Sequence, residues 1–273
     1  MEAGGGIGTW TRFCFRNNKM LLCGDAMVQR SSWGLMAMGV AYLFKQVHCH
    51  TPYGRYMPGS ADPVRTVPAK LAWFLQELPS FLVPMLLILT SHEPPGLGQT
   101  LLSWTFCVHY FQRTFIYSLL TNGRPTPLRI VIFAAIFCSL NGLFQGYYML
   151  YCAKYSESWL SDIRLVTGLT LFFLGMAINI HSDYILRHLR RPGEVVYRIP
   201  KGGMFEYVSG ANFFGEIVEW FGYAIATWSM PSLSFAIFTL CSIGPRAYHH
   251  HRFYLEKFTD YPRSRKAVIP FIF

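Results

Sequence analysis

Seven apolar stretches, at roughly 27–46, 70–91, 99–120, 129–152, 164–185, 207–230 and 232–254, are each about long enough to cross a lipid hydrocarbon core as a helix. Lipid offers no hydrogen-bond partners to a backbone, so unbroken apolar runs of this length read as helices that satisfy their own peptide groups. Composition points the same way. The chain is 52% hydrophobic and 14% charged, with a mean hydropathy of +0.26, too apolar for a soluble domain. The sequence therefore predicts an all-α polytopic membrane protein with seven transmembrane helices. No short cleavable signal precedes the first run, so insertion through an internal span is expected. Residues 1–26, Gly-rich and then basic, read as an N-terminal extension without an assigned fold, and 27–273 as one membrane domain.

The basic residues are unevenly shared. An odd number of spans puts the termini on opposite faces. One face, with the loops 46–70, 121–129 and 186–206 and the C-terminal tail, carries 17 Lys and Arg; the other carries six. The positive-inside rule makes the richer face cytosolic, with a cytosolic C-terminus and a lumenal N-terminus. Topology and anionic headgroups account for the net charge of +10, so no nucleic-acid partner is expected. The seven cysteines, scattered and odd in number, indicate neither a disulfide framework nor a zinc site. His249, His250 and His251 point about 100° apart on a helix and cannot chelate one ion from one face. The glycines at 4–8 lack the spacing and context of a dinucleotide fingerprint.

Costly polar residues recur at helical spacing inside the spans. Span 2 has Gln76 and Glu77; span 3 has Tyr110, Arg113 and Tyr117; span 5 has Asn179 and Asp183. Span 6 has Asn212, Glu216 and Glu219, and span 7 has Arg246, His250 and Tyr254. Each set forms one stripe, and with alternating span direction all five stripes fall in the cytosolic half. The expectation is a bundle enclosing a wet, charged cavity open to the cytosol. For Glu219 and Arg246, near span ends, snorkelling to the headgroups stays open beside a cavity role. The basic loop Arg187–Glu206 taken alone reads as a headgroup-binding loop, and beside the polar cavity it also suits a lid over a phosphorylated cofactor.

"FLQELPSF" (74–81), "HYFQRTFIYSLL" (109–120), "NIHSDYILRHLRRPGE" (179–194), "YVSGANFFGEIVEW" (207–220), "HHHRFYLEKF" (249–258) and "YPRSRKAVIPFIF" (261–273) resemble the steroid 5α-reductase family. The similarity runs in order from about Trp33 to Phe273. It implies an NADPH-dependent enzyme of the endoplasmic reticulum membrane that reduces the Δ4 bond of 3-oxo-Δ4-steroids such as testosterone or progesterone. The steroid would enter from the bilayer, and the seven helices would enclose cofactor and substrate. By match to the motifs, Glu77 and Tyr110 would be catalytic, holding the steroid C3 carbonyl. Arg113, Tyr117, Arg124, Asn179, Asp183, Arg190, Arg198, Asn212, Glu216, His250 and Tyr254 would contact NADP or support its pocket. At one span-4 position where a member of the family carries an arginine, this chain has Phe133, which bears on recognition of the steroid's far end. The residue types suit the chemistry: Tyr110 can donate to a ketone oxygen, and Glu77 as an acid can donate again or orient the tyrosine. Other readings are a reductase of another conjugated lipid (an enoyl-CoA or a polyprenal), a seven-helix receptor or pore, and a membrane methyltransferase.

Overall fold

A computed structural model describes residues 23–52, 54–56, 64–91, 94–189 and 196–273. Among these residues seven long helices follow in chain order. They are α1 (Asp25–His48), α2 (Ala69–Leu89), α3 (Leu97–Phe111), α4 (Leu128–Tyr147), α5 (Ile163–His188), α6 (Ala211–Thr227) and α7 (Met230–Lys257). Two of them continue as π-helix: α3 through Gln112–Tyr117 into a last turn at Ser118–Leu120, and α4 through Tyr148–Cys152. The only sheet among the described residues pairs Thr66–Val67 (β1) antiparallel with Thr126–Pro127 (β2), which ties the approaches to α2 and α4.

Local chemistry sets the helix ends. Asp162 caps α5, its Oδ1 accepting from the Arg164 backbone N–H at 2.8 Å while its two oxygens also take the Arg164 guanidinium. That arginine holds the Asp162 carboxyl down to about 2. Ser229 caps α7, with proline in its first turn. Trp228, at φ 46°, takes the left-handed conformation that ends α6 and leaves two residues before α7.

The expected spans agree with these helices except at the sixth. There the chain first makes a 3₁₀ turn at Gly203–Glu206, and α6 begins only at Ala211, with 17 residues. The cause is a strap from beyond α7. Ser209 and Gly210 N–H donate to the carbonyls of Lys266 and Ala267, and Lys266 N–H donates to Tyr207. The buried Arg265 guanidinium holds the Pro200 carbonyl at 2.8 Å and Glu206 at 3.3 Å. The Gly202 N–H first, and Arg265 after it, keep Glu206 below the usual carboxylate range. By length and composition three helices among the described residues are able to cross a membrane: α2, α4 with its π extension, and α5.

One sequence expectation is overturned. Cys23 and Cys152 form a disulfide, joining the start of α1 to the end of α4. The partners are 129 residues apart, and only the packed bundle brings them together, so no local spacing could announce the bridge.

The helices pack in pairs, α5 with α6, α2 with α4 and α1 with α7. The α5–α6 seam is built from glycine. A Cβ on Gly168 or Gly175 would lie within 2.7 Å of the backbone of Ala226 or Glu219, and one on Gly222 would meet Phe172 N at 2.5 Å. Small residues at this seam bring the two backbones into direct contact. The main core, with Leu102, Phe106, Phe172, Trp220 and Tyr223, fills the space between α3, α5 and α6.

Candidate active site

Three helices meet in one polar network. Arg113, 7% exposed, lies in the π-helical part of α3, and its Nη1 donates to Asp183 Oδ2 of α5 at 3.1 Å. Asp183 Oδ1 accepts from Asn212 Nδ2, in the first turn of α6, at 3.1 Å. Asn179, one turn before Asp183, donates from Nδ2 to the Asn212 carbonyl at 2.9 Å. The π turn has a structural role here. Arg113 and Tyr117, four apart within it, share one face, and the Arg113 guanidinium sits 4.0 Å over the Tyr117 ring, with Trp73 of α2 at 5.1 Å. Every polar group in the network leans on another, as burial of a charge requires.

This network borders a cavity of about 930 Å³. Glu77 and Tyr110 both line it. So do Arg113, Tyr117, Asn179, Asn212, Glu216 and His250, while Asp183 supports the wall from behind. Arg124 borders a smaller space of about 220 Å³ that shares Tyr117, Arg246 and His250 with the larger one. Arg198 is exposed before the 3₁₀ turn and lines neither space. Tyr254 lines neither as well; it is buried, with its ring stacked 5.3 Å from Tyr261 of the tail. Arg190 lies outside the described residues. His181 is exposed, its ring against Gly203.

The polar stripe expected along α6 divides. Asn212 and Glu216 reach the cavity, whereas Glu219 is fully buried, turned to His109 of α3 at 2.6 Å. Glu219 lies on the same helix face as Asn212 but about 10 Å deeper, where α3 and Trp220 close over it. Snorkelling is thereby excluded for Glu219, and Arg246 takes the cavity role. Among the wall residues that escaped the sequence reading are Trp73, Gln46 and Arg129. Trp73 resembles any apolar-span aromatic, Gln46 sits at the end of the first span, and Arg129 reads as an ordinary loop-end anchor. The rest of the lining is largely apolar, including Met38, Ile130, Phe137 and Phe238, with Phe133, 72% exposed, at the rim.

A family model described as 3-oxo-5-alpha-steroid 4-dehydrogenase matches residues 124–273. The chain is 54% identical over 255 residues to 3-oxo-5-alpha-steroid 4-dehydrogenase 2 of Homo sapiens, covering 92% of this chain and 98% of the relative. It is 53% identical over 257 residues to the protein of the same name from Rattus norvegicus, covering 93% and 99%. To 3-oxo-5-alpha-steroid 4-dehydrogenase 1 of Bos taurus it is 47% identical over 230 residues, covering 81% and 88%. With identity of this level along nearly its whole length, the chain belongs to the 3-oxo-5-alpha-steroid 4-dehydrogenase family of oxidoreductases.

Proposed function

We propose that the protein is an NADPH-dependent reductase that saturates the Δ4 bond of 3-oxo-Δ4-steroids, testosterone and progesterone among them, to give 5α-dihydro products. One observation carries the reading: an acid and a phenol from adjacent helices, Glu77 and Tyr110, face a cavity whose polar wall also includes Arg113, Arg246, Asn179 and Asn212. The names of the relatives point to the same substrate class.

The residues present fit a phosphorylated nicotinamide. Arg113, Arg124 and Arg246 offer guanidinium forks for phosphates. Asn179, Asn212 and Glu216 offer partners for amide and ribose groups, and Asp183 keeps Arg113 aimed. Arg190 and Arg198 would add charge from the loop, and Tyr117, His250 and Tyr254 would shape or back the pocket. A volume of about 930 Å³ lies at the upper end of ligand sites. When bound, NADPH supplies the hydride received at the steroid C5. The chain's own part is to prepare the acceptor. Tyr110 donates its hydroxyl hydrogen to the C3 oxygen, and Glu77 donates a second or fixes the tyrosine. Together they stabilise the negative charge that grows on that oxygen, and one such donor is worth about 2.7–4 kcal/mol; a proton taken up at C4 from water then completes the saturated bond. The apolar lining receives the ring system and excludes water.

In the same reading all seven helices cross the endoplasmic reticulum membrane, with the C-terminus cytosolic and the N-terminus lumenal. The basic-residue bias supports this orientation. So does the disulfide, since Cys23 and Cys152 fall on the lumenal, oxidising side. The steroid enters from the bilayer, and lipids are the other partners.

Product formation tests the proposal. Membranes expressing the chain, given NADPH and testosterone, should yield a 5α-dihydro steroid on chromatography. Glu77→Gln should lower turnover by about 10²–10³ while NADPH affinity stays within about twofold. Folded protein that reduces neither testosterone nor progesterone would sink the steroid reading and favour another conjugated lipid. Unchanged turnover in Glu77→Gln would remove that residue from the mechanism.

A further inference from the structure

Beside Tyr110, outside the cavity lining, a histidine and a carboxylate are sealed together. His109 Nδ1 lies 2.6 Å from Glu219 Oε1, and the two side chains are 4% and 0% exposed. Glu219 Oε2 is buried without a hydrogen-bond partner. The other charged groups acting on it are Glu216 of its own helix and Arg113 of α3. Burying such a pair with a bare oxygen is expensive, and an apolar pair of similar volume is usually as stable or more so. Stability is therefore a poor reason for it.

Its contacts supply a better one. The His109 ring stands edge-on to Trp220 at 4.6 Å and to Tyr110 at 4.9 Å. Trp220 itself lies 5.8 Å from the Tyr110 ring, and Phe106 lies 4.8 Å from it. Three rings thus brace Tyr110, whose own side chain borders the cavity. Only two residues further on, α3 changes to π-helix, a feature frequent at functional sites. A carboxylate that holds an imidazole in one tautomer and one tilt is an established way to fix such a ring.

We infer that Glu219 and His109 form a positioning dyad that sets the Tyr110 hydroxyl at the substrate carbonyl. The inference rests on the role given to Tyr110 above. Neither dyad residue touches substrate; both act through the tyrosine.

Steady-state kinetics of the full chain in membranes, per folded molecule, separate this role from a structural one. Glu219→Leu should lower kcat about tenfold or more per folded molecule, with both KM values within about twofold, and should also lower the Tm because the buried His109 N–H loses its acceptor. Glu219→Gln keeps an acceptor for His109 and should retain most of the wild-type kcat. His109→Asn keeps a donor for Glu219 but removes the bracing ring, and should lose kcat as Glu219→Leu does; it carries the test if the leucine variant fails to fold. A kcat within about twofold of wild type in Glu219→Leu or His109→Asn overturns the dyad. A loss in Glu219→Gln as deep as in Glu219→Leu also overturns it, because charge rather than geometry would then be at work. Wild-type membranes that form no 5α-product sink the steroid reading and the dyad together, whereas active wild type with unaffected variants sinks the dyad alone.

Discussion

Replacing Gly215 with alanine would force apart the seam that carries the polar network. A Cβ at this position would lie 2.5 Å from Asn179 N, 2.7 Å from Gly175 O and 3.0 Å from Asn179 Cα, all backbone atoms that cannot rotate away. Ordinary contact begins near 3.4 Å, so α5 and α6 must separate by about 1 Å. The Asn179–Asn212 and Asn212–Asp183 hydrogen bonds, 2.9 and 3.1 Å, cross the same seam and would stretch to roughly 4 Å, past useful length. Overpacking costs about 1–3 kcal/mol and each lost hydrogen bond about 1 kcal/mol, against about 0.5–1 kcal/mol returned by alanine's helix propensity. The net loss is roughly 2–4 kcal/mol, or about 5–15 °C in Tm for a chain of this size. Thermal unfolding in detergent, followed by tryptophan fluorescence, reads the shift. Gly34→Ala is the control: a Cβ there meets nothing within 4 Å, so its Tm should hold or rise slightly. A Gly215→Ala midpoint within about 1 °C of the control would refute the close-seam argument.

Two further perturbations probe charge. Asp183→Ala leaves the buried Arg113 without its carboxylate and should cost about 3–5 kcal/mol, visible as a lowered Tm; a loss below about 1 kcal/mol would mean that the Tyr117 ring alone suffices. Asp162 is held down to about 2, below its usual 3.8, so its contribution is fully present above that usual value and fades as pH falls through about 2. The Tm gap between wild type and Asp162→Asn should therefore be constant from pH 7 to about 5 and close on further acidification; a gap that widens in acid would contradict the assignment.

The helices were legible because hydropathy at this length leaves a chain few alternatives, and the ends of α2, α4 and α5 fall close to the expected span limits. Much of the cavity was legible too, since Glu77, Tyr110, Arg113 and Asn179 are too costly in lipid to serve no purpose. What remained hidden depends on residues far apart in sequence. Nothing near Glu219 names His109 as its partner, 110 positions away, and nothing near Cys23 names Cys152. The π turn was invisible because hydropathy reports the exposure of residues and not the winding between them. Tyr254 fitted the stripe on α7 by spacing, yet it lines neither space because the tail residue Tyr261 stacks on it, and helix periodicity carries no information about a segment that folds back later.

The strap from the tail has a consequence for biogenesis. The stretch 200–210 before α6 is held by Arg265, Lys266 and Ala267, and Arg265 grips partners 65 and 59 positions earlier in the chain. On the ribosome, α6 and α7 must both be translated before those contacts can exist. During that interval the α5–α6 junction lacks its final anchor, and the wall carrying Asn212 and Glu216 begins just beyond it. Completion of the pocket is thus a late event in synthesis, and a nascent chain interrupted after α7 would carry every helix yet lack the clasp that holds the entrance to α6 in place.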